Sequence, residues 1–375
     1  MKPRLCWFYI RARARNSMKS NGSGIMGLSI RQIADLAGVS RGTVDRALNN
    51  RPGINPQVKA KILALAAETG FRTNRAGKIL GIRKTPLTIG IQMPSIGNEF
   101  FREVRCGIDR AAAELADYGL TLSIREMKGF SVGTQITQIR SLLAEGVNGL
   151  ALAPVDHPDV IALLEDLAAA RIPVMTMNTD IAGGPRLGYV GNDYTRSGAI
   201  AAGILGLMTD GRPLRTLIVT GSKQVLGHNQ RISGFCQAIR QRYPQISILD
   251  ILENQDDDRR SGQIVREALA RWPEIDAIYL TAAGVAGACQ ACQEFAGGRQ
   301  IERQVRIVCN DQTPGIMPYL LDGTIAASIG QEPFRQGYEP VRLLFEYLLD
   351  GTLPPPLTLT RNEIMIYEHF FKEAL

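Results

Sequence analysis

Between Ser29 and Leu80 the chain places helix start and stop signals so close together that only short, mutually packed helices can satisfy them. Ser29 with Gln32 forms a capping box, in which the hydroxyl takes an orphan amide of the first turn and the glutamine reaches back. A helix is therefore expected from Ile30, with Ile33, Ala34, Leu36 and Ala37 on one stripe and Gly38 as its left-handed stop. Ser40 caps a second helix, Arg41 to Leu48, whose apolar positions Val44, Ala47 and Leu48 keep the 3.6-residue period. Two short helices joined by a tight glycine turn make a helix-turn-helix. Asn55 followed by Pro56 starts a third helix, through Val58, Ile62, Leu65 and Ala66 to a stop at Gly70. Three such helices can enclose one small core.

This arrangement leaves Arg41, Gly42, Thr43, Asp45 and Arg46 toward solvent at or near the start of the second helix, where a recognition helix meets base edges. Helix-glycine-helix patterns also arise by chance, and a solvated arginine face alone signifies solubility. The residues after Gly70 favour DNA. Phe71 to Leu80 is a basic segment with an asparagine cap, too short for a stable helix in water, and so suited to folding on a duplex. Leu80 at its end fits an apolar wedge in the minor groove.

The formal charge of +7 suggests general nucleic-acid affinity, but its distribution does not. Residues 1 to 25 hold six Lys/Arg and no acid, and residues 26 to 86 hold eleven against Asp35, Asp45 and Glu68. Everything beyond is net negative by seven charges. Phosphate would repel that large part, so one end alone should touch DNA. The apolar run Leu5 to Ile10 is too short for a signal-peptide core, and no segment is long and apolar enough to span a membrane. Met1 to Ile25 is expected to be a disordered leader; the alternative is that translation starts at Met26.

Six cysteines (Cys6, Cys106, Cys236, Cys289, Cys292 and Cys309) show no disulfide pattern, which fits a reduced cytoplasmic chain. Cys289 and Cys292 have CxxC spacing, yet no second pair or nearby histidine accompanies them, and two thiols on one helix face is the favoured reading. With only His157, His228 and His369, a histidine-based metal site has little to draw on.

The headpiece residues resemble a known family. Ile33 to Ser40, Thr43 to Asn49, Gly70-Phe71 and Asn74-Arg75-Ala76 with Leu80 are similar to the headpiece and hinge helix of LacI-type transcriptional regulators. The resemblance implies that Arg41 and Gly42 open the recognition helix, that Arg46 reads or clamps the major groove, and that Leu80 is the hinge leucine. Asp45 stands where that family usually has serine and Thr73 where proline is usual. Gly77 lies inside the hinge helix, where glycine costs about 1 kcal/mol relative to alanine.

From Leu87 onward, β-rich runs alternate with Ala/Leu-rich helical stretches, the pattern of parallel α/β architecture. Strands are expected at 88–92, 120–125, 149–153, 173–177 and 187–190, then at 216–220, 246–252, 277–280, 306–310 and 324–328. Helices are expected at 100–118, 134–145, 157–170, 195–208, 230–242, 259–271, 284–295 and 315–321. Two similar series imply two lobes, and ligands in such sheets bind beyond the C-terminal strand ends, so the lobes would share a cleft. No GxGxxG after a strand, Walker A or GxSxG pattern occurs. The run Asp256-Asp257-Asp258 reads as the cap of a helix near Arg259 on a solvated face.

Residues 87 to 375 resemble the type I periplasmic sugar-binding fold, with details similar to ribose-binding proteins. Asn98-Glu99-Phe100-Phe101 is similar to that group's Asn-x-Phe-Phe, and Gln230 to Phe235 to its Arg-x-x-Gly-Phe element. Cys309 to Pro314 resembles the strand ending in aspartate before Thr-Pro, and Ile329 to Pro333 the segment with the cleft glutamine. Aromatic faces pack on sugar C–H faces, while amides, carboxylates and guanidinium fork across hydroxyls. Ribose binders carry Asp-Arg where this chain has Asn178-Thr179, and Asn where it has Ala282, so ribose is not implied. Phe100 and Phe101 fit either the cleft or the core of the first lobe. Asn192 and Asp193 fit either the cleft or a cap, with a cap preferred for Asp193.

The expected fold is thus a small all-α helix-turn-helix headpiece plus an α/β, type I periplasmic-binding-protein-like core of two Rossmann-like lobes. The expected boundaries are 1–25 for the leader, 26–72 for the headpiece, 73–86 for hinge helix and linker, and 87–375 for an effector-binding and dimerisation domain. Lobe 1 would hold about 87–191 and 332–358, and lobe 2 about 192–331 and 359–375. Ser40, Arg41, Gly42, Thr43, Arg46, Asn49, Asn74, Arg75 and Leu80 are the expected DNA contacts. Asn98, Phe100, Phe101, Asn178, Arg231, Asp311 and Gln331 are the expected effector contacts. No catalytic residue, metal or cofactor is expected. The reading is a DNA-binding transcriptional regulator, a repressor by preference, controlled by a sugar, polyol or related effector. Its partners would be operator DNA and a second copy, with a tetramer as the alternative; it would work in the bacterial cytoplasm at nucleoid operators. The rival readings are a nucleobase or nucleoside sensor on the same scaffold and a sugar-modifying enzyme.

Overall fold

The computed structural model describes residues 30–48, 52–68, 86–94, 96–297 and 305–370. The chain divides into two compact units, residues 1–75 and 76–375. Ser29, Asn49, Gly70 and the hinge from Thr73 to Leu80 lie outside the described residues.

In the first unit α1 (Ile30–Ala37), α2 (Arg41–Leu48) and α3 (Pro56–Glu68) pack around Ile33, Ala34, Ala37, Val44, Ala47 and Ile62. Gly38 ends α1 at φ +71, a conformation that costs glycine nothing. Ser40 Oγ then accepts the Thr43 N–H at 3.1 Å, and Asn55 Oδ1 accepts the Gln57 N–H at 2.9 Å, so each later helix has its cap. Lys61 Nζ donates to the Ala37 carbonyl at 3.2 Å, bringing a cation to the C-terminal end of α1. Leu36 departs from expectation: it is 55% exposed. At 3.6 residues per turn it lies about 100° from the centre of the Ile33, Ala34 and Ala37 stripe, too far round to reach the core.

In the second unit the strands, in chain order, are β1 (Leu87–Met93), β2 (Leu120–Glu126), β3 (Gly149–Leu152), β4 (Val174–Asn178), β5 (Gly188–Asn192), β6 (Leu214–Thr220), β7 (Ile246–Glu253), β8 (Ala277–Leu280), β9 (Arg306–Asn310), β10 (Ile325–Gly330), β11 (Leu357–Thr360) and β12 (Glu363–Met365). They form two sheets, ordered β11-β5-β4-β3-β1-β2 and β12-β10-β9-β8-β6-β7. Every pairing is parallel except β10 with β12. Each sheet is thus a doubly wound lobe with helices on both faces. The helices are α4 (Phe100–Leu115), α5 (Val132–Ala144), α6 (Pro158–Ala169), α7 (Tyr194–Met208), α8 (Leu226–Arg242), α9 (Asp258–Arg271), α10 (Val285–Gly297), α11 (Met317–Leu321) and α12 (Pro333–Asp350), with the short α13 (Tyr367–Phe370) near the end. No helix among the described residues is long and apolar enough to cross a membrane.

Two features depart from the sequence reading. The 18-residue α12 is absent from the expected helices; Pro333 occupies its permitted first turn and Pro340 is tolerated on a buried face. Strand β11 also runs to Thr360 in the first sheet, so the last crossing between lobes follows residue 360 rather than 358.

The lobes are joined at three crossings, after β5, β10 and β11. Side chains tie these segments together: Glu332 accepts the Arg361 N–H at 2.8 Å, and Asn362 Nδ2 donates to the Asp193 carbonyl at 3.3 Å. Asp193 also accepts the Arg196 N–H at 2.9 Å and so caps α7. Asn192 is 2% exposed at the end of β5.

Candidate effector cleft and nucleic-acid interface

On the headpiece, Ser40, Arg41, Gly42 and Arg46 are exposed, while Thr43 is half-buried with its hydroxyl 2.9 Å from that of Ser40. Val44 and Ala47 are buried, which fixes the opposite face of α2 outward. The result is two exposed arginines on the part of α2 that the core leaves open. Asn49, Asn74, Arg75 and Leu80 lie outside the described residues.

Between the lobes of the second unit lies a cleft with about 520 Å³ of empty space, part of it open to solvent. Asn98, Phe100, Phe101, Asn178, Arg231, Asp311 and Gln331 all line it. The reason is topological, since most of them follow the C-terminal ends of parallel strands: Asn98 after β1, Asn178 closing β4, Asp311 after β9 and Gln331 after β10. Arg231 comes instead from α8, which packs against α7 so closely that a Cβ on Gly198 would overlap the Arg231 carbonyl. Glycine there lets the guanidinium reach the cleft.

Phe100 and Phe101 sit edge to face at 5.4 Å and belong both to the cleft wall and to the core of the first lobe, so the two sequence readings hold together. Asn98 Oδ1 accepts the Phe100 N–H at 3.0 Å, which shapes this corner. A polar network runs behind the floor. Gln331 Nε2 donates to Asp311, Gln336 Nε2 donates to the Gln331 carbonyl at 2.7 Å, and Asn178 Nδ2 donates to Gln336 Oε1 at 3.0 Å and to the Tyr194 hydroxyl at 3.2 Å. Asn178 therefore spends its amide on the scaffold. It holds φ +61 and Asp311 holds φ +74, left-handed backbone concentrated at the cleft.

Arg231 is 2% exposed and stacks over the Tyr194 ring at 4.6 Å. Its Nη1 donates to the Thr281 carbonyl at 2.5 Å, whereas buried Nε and Nη2 have no partner. Those two N–H groups share one edge of the guanidinium and suit a pair of acceptors. Facing them, burial raises the Asp311 carboxyl above its usual range, opposed by Arg231 and the Gln331 hydrogen bond. His228 is held neutral: burial, then Arg231, pushes it down to about 3, and its Nδ1 accepts the Ser222 N–H at 3.1 Å.

Asp256 corrects the sequence reading. The run 256–258 reads as a solvated cap, and Asp257 does cap α9 by accepting the Arg260 N–H at 2.9 Å. Asp256 instead turns inward and lines the cleft. Its Oδ2 accepts from Asn98 Nδ2 of the other lobe at 3.4 Å, and its buried Oδ1 has no partner. Burial pushes its carboxyl up to about 7, opposed by the Ala283 backbone N–H, with Asp311 adding to the rise and Arg231 and Asn98 pulling against it. One capping aspartate suffices, so the extra acid just past a strand end was the available signal. Tyr194, Phe130 and His228 also line the cleft and carried no recognisable signal, while Thr179 lines it at the place where the resemblance departs from the ribose binders.

Cys289 and Cys292 lie buried on α10, and burial pushes Cys292 up to about 12, so they act as core thiols. Among the described residues no cluster of His, Cys, Asp or Glu could hold a metal ion.

Comparison with known proteins accords with this anatomy. The periplasmic binding protein domain family matches residues 89–352, and the lacI family of bacterial regulatory proteins matches residues 29–74. The HTH-type transcriptional regulator IdnR of Escherichia coli is 26% identical over 71% of this chain and 77% of its own length. The ribose operon repressor of Bacillus subtilis is 23% identical over 84% of this chain and 90% of its own. GanP, a glucose-galactose binding protein from Geobacillus stearothermophilus, superposes with a TM-score of 0.69 at 25% identity, covering 76% of this chain and 99% of that one. Over its larger part the chain belongs to the periplasmic binding protein domain family, and with a lacI-family domain at residues 29–74 it is a sequence-specific DNA-binding transcriptional regulator.

Proposed function

We infer that this regulator is a repressor, that it acts as a cytoplasmic homodimer on near-palindromic operators, and that a small sugar or polyol bound between its lobes controls it. The observation that carries the effector reading is the free Nε and Nη2 edge of buried Arg231 beside two carboxylates and an aromatic wall. Such a site offers donors, acceptors and a C–H-packing face within one cleft. The relatives named as a ribose operon repressor and a glucose-galactose binding protein support the same class. Dimer symmetry would set the half-site spacing. An effector that binds one lobe arrangement better shifts the equilibrium toward it, and the segment from Asn74 to Leu80 would pass that shift to DNA.

Ser40, Arg41, Gly42, Thr43, Arg46 and Asn49 would contact DNA, with Asn74, Arg75 and Leu80 in the hinge. Arg46→Ala should weaken operator binding by roughly tenfold or more at fixed salt, the loss expected of one guanidinium contact to a base. An unchanged operator affinity in a gel-shift titration would remove Arg46 from the interface. Thermal-shift screening of the full chain with pentoses, hexoses, polyols and nucleosides tests the effector class. Stabilisation by a nucleoside alone would replace the sugar reading, and turnover of a candidate sugar would replace the regulator-without-catalysis reading.

A further inference from the structure

We propose that the cleft selects an uncharged polyhydroxylated effector, and that Asp256 is the specificity-determining side chain that sets this choice. The inference rests on the reading of the cleft as the effector site. Among the described lining residues Arg231 is the one cationic side chain. Part of its charge is already committed, to the Thr281 carbonyl and to the face of Tyr194. Position 179, which resembles the place of a second guanidinium in ribose binders, holds a threonine whose hydroxyl instead accepts the Gly227 N–H across the cleft at 3.2 Å.

Against this single cation stand two carboxylates. Asp311 belongs to the floor network. Asp256 is held in place by its own backbone, at φ +57 behind Gln255 at φ +57, and by Gly221, where any Cβ would collide with its Oδ1. The Ala283 backbone N–H lends the carboxylate some support, but its buried Oδ1 makes no hydrogen bond of good geometry, and a ligand hydroxyl donating to it relieves the cost of that burial. The same ligand's oxygens can accept from the free edge of Arg231. A sugar acid or phosphate would use that edge too, but it would add negative charge beside two acids, and one of them would have to take up a proton first.

The two ligand classes therefore differ in the sign of proton linkage. Asp256 faces Arg231 and His228 of α8, Asp311 after β9 and Asn98 of the other lobe; on its own segment Asp257 is engaged as the helix cap. With its midpoint raised to about 7, the protonated form is favoured in the closed cleft at low pH, and a charge penalty accrues as pH rises through that value. A hydroxyl donor relieves the penalty, so the affinity of a neutral ligand rises with pH. An anion worsens it, so its affinity falls.

The test is calorimetry on the full chain with matched neutral and anionic pairs: aldose and uronate, alditol and aldonate, aldose and sugar phosphate, nucleoside and nucleotide. Each is measured one unit below and one unit above the Asp256 midpoint. The tightest ligand should be neutral, should bind roughly tenfold or more tightly than its charged counterpart, and should gain affinity with pH. Asp256→Asn should flatten that pH slope and narrow the gap between the pair. Should the variant fail to fold by thermal melting, the slope of the unaltered chain still decides. A tighter anionic member, or a neutral ligand whose affinity falls with pH, overturns the proposal. A tight nucleoside with a weak nucleotide keeps the charge rule and sinks the sugar reading, so the two failures are distinguishable.

Discussion

The two walls of the cleft are built alike and do different chemistry. Both come from strand-end loops and the helices that follow them, in six-stranded sheets of the same order. The wall from the first lobe is largely apolar, with Phe100, Phe101 and Phe130 alongside Pro94 and Pro154. The wall from the second lobe carries Arg231, Asp256, Asp311 and a neutral His228. Sheet packing fixes where loops emerge, but it leaves their side chains free to diverge. The charged hydrogen-bonding groups thus belong to the second lobe, and the phenylalanine surface to the first. Hydrogen bonds between the lobes, such as Asp156 N–H to the Gln224 carbonyl at 3.0 Å and Gly315 N–H to Glu99 Oε2 at 2.9 Å, hold the walls together.

This division can be broken from either side. The largest effect is expected for Arg231→Ala, which removes the donor edge and leaves Asp256 and Asp311 without their cation. Effector affinity should fall by roughly a hundredfold, and the melt should report about 3 kcal/mol of lost stability. A loss under about threefold in a calorimetric titration, where an intermolecular charged contact is worth far more, would take recognition away from the second lobe. A smaller effect is expected for Phe101→Leu, which keeps an apolar wall but loses the aromatic face, about 1 kcal/mol or fivefold in affinity. If that substitution cost as much as Arg231→Ala, the first lobe would be more than a packing surface.

Much of the molecule is legible in local signals. Gly38, Ser40 and the Asn55-Pro56 pair mark helix boundaries because capping chemistry is local, and the alternating strands and helices follow from periodicity. Six of the seven side chains brought to the cleft carried the resemblance to sugar-binding proteins, and the seventh, Asn178, marks a departure from it. What was hidden depends on tertiary context. The helix α12 contains Pro340, and only its burial against the first lobe makes it stable. Leu36 has the composition of a core residue and the wrong angular position. Asp256 differs from its neighbours Asp257 and Asp258 only in standing one residue before the cap, where the chain still lines the cleft. The surplus of acids over what a cap needs hints that one turns inward, but the left-handed backbone at Gln255 and Asp256 is what selects which.

The central claim is that one effector engages both walls at once. Hydrogen–deuterium exchange on the full chain, with and without the ligand that emerges from calorimetry, tests it most directly. The account predicts coordinated protection at Asn98 to Phe101 and Asn178 to Thr179 in the first lobe and at Asn254 to Asp256, Thr281 to Ala283 and Asp311 in the second. Protection confined to one lobe, or centred away from these loops, would contradict it.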